Sequence, residues 1–111
     1  MMKWSMAESP SISIFIVGSP QLPPPLLKEL YGITGRSSVE LSAAVLAGRD
    51  VYAAELFGTD HVNVAPRLEK TVGFCERNGL MYRVEETYEG ETAQIDLATM
   101  RSILETADGQ R

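Results

Sequence analysis

Ser11 to Val17 alternates polar and apolar residues at first and then turns continuously apolar, β-branched almost throughout. That pattern predicts a strand whose second half is buried on both faces. Gly18 to Pro25 cannot continue a ladder, because its prolines lack the backbone donor, whereas Pro25 suits the first turn of a helix. Leu26, Leu27, Leu30 and Tyr31 then fall on one helical face, with Gly32 and Gly35 at its exit. Ser37-Ser38-Val39-Glu40 has the spacing of a capping box and opens a second helix, whose stripe is Leu41, Ala44 and Val45 and whose stop is Gly48. Val51 to Phe57 reads as a strand. Asn63 is the expected cap of a third helix, with Pro66 in its first turn and Val64, Leu68, Thr71, Val72 and Cys75 on one face. Asn78-Gly79 ends it, and Leu80 to Glu85 reads as a third strand.

The remainder is more polar. Glu86 to Glu91 is a break containing Gly90, after which Leu97, Met100, Ile103, Leu104 and Ala107 recur at helical spacing from a cap at Asp96 to a stop near Gly109. The expected architecture is α+β: a two-layer domain in which three helices cover one face of a three-stranded sheet (β-α-α-β-α-β), plus a C-terminal amphipathic helix. The domain spans 11–86, preceded by a flexible segment over 1–10 and followed by an acidic linker and helix over 87–111.

Composition narrows the chemistry. The 111 residues include one histidine, His61, and one cysteine, Cys75, so neither a disulfide within the chain nor a cysteine–histidine metal cage can form. If a helix runs between these two residues, the 14 positions separating them in the sequence put them roughly 20 Å apart, too far for a nucleophile and its base. Cys75 is expected as a small core residue and His61 as a loop residue. Gly32-Ile33-Thr34-Gly35 lacks the Gly-Lys-Ser/Thr ending of a phosphate-binding loop, and Glu85, Glu86, Glu89 and Glu91 lack the spacing of a calcium loop. No catalytic residue, cofactor or metal is therefore expected, and the chain is read as no enzyme.

The formal charge is −5, and it is unevenly placed. Eight acids and eight bases cancel over 1–84, whereas 85–111 holds seven acids against Arg101 and Arg111. A chain without a basic footprint is a poor direct partner for nucleic acid or an anionic membrane. Glu8 and Pro10 interrupt a leader that has no apolar core of signal-peptide type, and no run approaches the roughly 20 apolar residues that span a bilayer. A lone thiol agrees with a reducing compartment, so the expected location is cytoplasmic.

Leu27-Lys28-Glu29-Leu30-Tyr31-Gly32-Ile33-Thr34-Gly35, followed by Glu40 and Val45 and later by Gly79, resembles the C-terminal domain of the bacterial ribosomal stalk protein. That family shows apolar-Lys-x-apolar-Arg, a Thr-Gly pair, and a Glu and Val on the next helix. The resemblance covers residues 11–86, and the adaptor that delivers substrates to Clp proteases has a similar fold. It implies the same β-α-α-β-α-β order and contacts to protein partners through basic and apolar side chains of the first two helices. Lys28 is retained; Tyr31 stands at the arginine position and Ser42 where a lysine is usual.

Two surfaces are therefore expected to meet a protein partner. One is Lys28 with Tyr31. The other is the tail stripe of Leu97, Met100, Ile103 and Leu104, which either folds back onto its own domain, on the open face of the sheet, or docks in another chain. Self-association through the tail helix or a sheet edge is the alternative function.

Overall fold

A computed structural model of the chain describes residues 10–56 and 61–109. The first nine residues, expected as a flexible segment, lie outside the described residues. The elements run β1 (Ser11–Ile16), α1 (Pro24–Thr34), α2 (Ser38–Ala47), β2 (Asp50–Glu55), α3 (His61–Arg77), β3 (Tyr82–Tyr88), β4 (Glu91–Ile95) and α4 (Leu97–Gly109). The α+β class holds.

The sheet has the order β2-β1-β3-β4, with every neighbouring pair antiparallel. Its alternation decides which face carries the helices. Ile12, Ile14 and Ile16 are buried, and Ala54 and Tyr52 on β2 and Glu86, Val84 and Tyr82 on β3 stand opposite them. Burial of each isoleucine is worth about 1.5–3 kcal/mol relative to exposure, which pins the register, since a one-residue slip would turn all three to water. The opposite face is small and polar: Ser11 and Ser13 on β1, Glu85 and Thr87 on β3, Thr92 and Gln94 on β4. Its one aromatic, Phe15, lies under Arg83, whose guanidinium carbon is 4.3 Å from the ring centroid.

The sheet has four strands where three were expected. The stretch read as a polar break and acidic linker is a tight hairpin: β3 continues to Tyr88, the turn is Glu89-Gly90, and β4 returns with Tyr88 opposite Glu91. Glu89 and Gly90 both have positive φ, 53° and 80°, as a two-residue type I′ turn requires. The hydrophobic pattern hides this strand because β4 is exposed along most of its length, so it carries no apolar alternation.

α3 begins at His61, so Asn63 and Pro66 lie inside the helix rather than at its start. Pro66 has no N–H for the carbonyl four residues earlier, so the helix forgoes one hydrogen bond there. α4 does not cover the open sheet face. Met100 and Leu104 join the same buried cluster as Ile12, Phe74 and Val84, and Arg101 donates to both carboxylate oxygens of Glu69 on α3 at 2.9 and 3.0 Å. The reason is chemical: an apolar stripe gains nothing against Ser11, Ser13, Glu85 and Thr87. No helix among the described residues is long and apolar enough to cross a membrane.

Candidate functional site

The first helix pair is built to be rigid. Three prolines lead into α1, with Pro23 as its cap and Pro24 in its first turn. Gly35 closes the helix in the left-handed conformation, φ 80°, and its N–H donates to the Tyr31 carbonyl at 2.8 Å. The capping box at α2 is fully formed: the Glu40 N–H donates to Ser37 Oγ at 3.1 Å, and the Ser37 N–H donates to Glu40 Oε1 at 3.2 Å. Between the helices, Arg36 donates to the Asp50 carbonyl at 2.8 Å and to its Oδ2 at 3.0 Å, tying the turn to the start of β2.

Between these helices lies an open groove of about 580 Å³, lined by Pro24, Leu27, Ser38, Val39, Ser42, Ala43 and Leu46. Its walls are unusually apolar for an exposed surface. Val39 is 80% exposed and Leu46 55% exposed. Tyr31 follows Leu27 by one helical turn and is itself 51% exposed, and Lys28 lies on the same side of α1, one turn from both Pro24 and Tyr31. Beyond Val39 and Ala43 is a second, polar depression lined by Arg36, Glu40, Arg49 and Asp50. Neither Lys28 nor Arg49 makes an ion pair among the described residues, whereas the neighbouring acids are engaged: Asp50 by Arg36, Glu29 by Arg77, Glu40 by the α2 cap. The groove is therefore apolar, with Lys28 one turn from Pro24 and, beyond Val39 and Ala43, a depression in which the cations Arg36 and Arg49 stand beside the acids Glu40 and Asp50.

The expected surface divides in two. Lys28 and Tyr31 are exposed on α1, one helical turn from the lining residues Pro24 and Leu27, and are not themselves among the lining residues. Met100 is fully buried, Leu104 nearly so, and Leu97 and Ile103 pack half-buried against the core. α3 separates the two sets, holding α1 through Arg77 and Glu29 and α4 through Glu69 and Arg101. Val39, Ala43 and Leu46 are the groove residues that the sequence reading passed over. They lie off the Leu41, Ala44 and Val45 stripe, and the signal was present, since a helix apolar nearly all round must bury or offer its second face.

Burial, and secondarily the neighbouring Glu76, pushes the Cys75 thiol up to about 11. The Tyr82 hydroxyl is also held above its ordinary range, first by burial and then by its 2.9 Å hydrogen bond to Glu76 Oε2. Asp96 lies below the usual carboxylate range because the Thr99 side chain and N–H both bond to it, the N–H at 2.8 Å; this is the cap expected for α4. Among the described residues no group of three His, Cys, Asp or Glu side chains could hold a metal ion, and the side chain of His61 lies outside the described residues. No family model, no curated protein and no solved structure matches this chain.

Proposed function

We propose that the chain is a non-enzymatic, cytoplasmic protein-interaction module that receives a protein partner in the α1–α2 groove. The observation that carries this reading is the exposure of Val39 and Leu46 beside Leu27 on two helices that caps and the Arg36 bridge hold rigid. Exposed apolar side chains that line a preformed depression lower the free energy of association, because little ordering remains to be done on binding. Lys28 at the margin favours a partner with acidic groups around its apolar contact. The resemblance of Leu27 to Gly35 to the ribosomal stalk C-terminal domain supports the same helix pair as the contact surface.

The test is capture by the immobilised full chain and by Tyr31→Ala, Lys28→Ala and Leu46→Asp variants. Leu46→Asp places a charge on the groove wall and is expected to weaken partner capture at least about tenfold, with Tyr31→Ala close behind. Circular dichroism of all three variants is expected to match the parent, since each side chain is exposed. Capture that is indifferent to all three substitutions would remove the groove from the function.

A further inference from the structure

The β3–β4 hairpin carries the complement of the groove. Thr87 pairs with Ser11, the first residue of β1, so Tyr88 to Glu91 extend past that strand. The tip presents Tyr88, 43% exposed, among Glu86, Glu89 and Glu91, none of which makes an ion pair among the described residues. Across the molecule, the groove presents Pro24, Leu27, Val39 and Leu46. Lys28 lies one turn from Pro24 on α1 and Arg49 lines the depression beyond Val39, and, like Arg67 and Lys70 on α3, neither makes an ion pair among the described residues. One surface is an aromatic side chain ringed by free carboxylates. The other is an apolar depression with Lys28 and Arg49, outside any ion pair among the described residues, in its surroundings.

We propose that the hairpin tip of one chain docks in the α1–α2 groove of a second copy, with Tyr88 entering the groove and Glu89 and Glu91 facing Lys28 and Arg49. This docking rests on the groove being an interaction surface. The two patches cannot meet within one chain, because α2 packs on β2 at one edge of the sheet and the hairpin forms the other. They are different surfaces, so two copies either exchange hairpins reciprocally about a two-fold axis or associate head-to-tail into a ring or a short open string. One aromatic anchor and two screened ion pairs give weak association, with a dissociation constant of roughly 10 μM to 1 mM. Through such self-docking, copies of the chain compete with an outside partner for the groove.

Sedimentation equilibrium of the full chain over a wide concentration range, at low and high salt, tests this. The expected result is a mass that rises above the monomer with concentration at low salt and returns toward it at high salt. Tyr88→Ala is expected to raise the dissociation constant at least about tenfold. Lys28→Glu and Glu89→Lys each weaken association alone, and an equimolar mixture of the two restores it, because the native groove of Glu89→Lys accepts the native hairpin of Lys28→Glu and the altered groove and altered hairpin are again opposite in charge. A monomer mass throughout, association unchanged by Tyr88→Ala, or a mixture that fails to restore would each overturn the proposal. If the chain stays monomeric while Leu46→Asp still abolishes capture of other proteins, self-docking falls and the interaction module stands; if Leu46→Asp changes neither, both fall.

Discussion

Cys75 shows how one side chain reports its surroundings. It is fully buried, and its thiol is pushed up to about 11 from an ordinary 9.0, mainly by loss of solvent. The folded state thus holds the thiol proton more tightly than the unfolded state does. The corresponding stability, on the order of 2–3 kcal/mol, is complete below about pH 9 and is lost as pH rises through about 11. Denaturant unfolding of the parent and of Cys75→Ala near both pH values is expected to show a larger loss in the parent, the smaller loss in the variant coming from Tyr82, whose hydroxyl is also held above its ordinary range. At neutral pH the native thiol is expected to resist an aromatic disulfide reagent and to react once urea unfolds the chain. This residue was legible in the sequence, because it shares helical spacing with Leu68 and Val72. Val39 and Leu46 were not, because spacing assigns a residue to a face without saying whether a neighbour covers that face.

At the scale of elements, caps and glycines were the clearest signals. The Ser37–Glu40 box, the left-handed Gly35 and Gly48, and the Asp96 cap all formed as their local chemistry dictates. The hairpin was missed for an equally local reason. Glu89 occupies a left-handed position, φ 53°, where asparagine is the favoured residue, so the turn lacks the Asn-Gly signature. Glu89→Asn is expected to stabilise the domain by about 0.5–1 kcal/mol, read as a higher urea midpoint at unchanged slope. Gly90, at φ 80°, leaves no comparable room for improvement, although a Cβ there would meet no atom within 4 Å.

For the whole molecule, the decisive fact is that one core serves all four helices. Met100 on α4 reaches the cluster that holds Ile14 and Phe74, so the tail is part of the folding unit. Met100→Ala is expected to destabilise the chain by about 2–5 kcal/mol in a single transition seen alike by far-UV signal and calorimetry, and removal of residues 92–111 to lower the melting temperature further. A tail that melted separately would contradict this. The sequence showed that the stripe of Leu97, Met100, Ile103 and Leu104 needed cover but not where it would find it. That choice depends on the polarity of a sheet face assembled from three distant segments.

The central position of β1 has a consequence for synthesis. It is the first of the described strands to emerge and the most apolar of them, yet it pairs with β2, some 40 positions later in the chain, and with β3, some 70 positions later. Until residue 88 has left the ribosome, Ile12, Ile14 and Ile16 sit in a strand with an unsatisfied margin, the kind of nascent segment that chaperones bind and that seeds cross-chain aggregation. A circular permutant that starts at α2 and ends at α1 would deliver β1 after both of its partners and shorten that exposure.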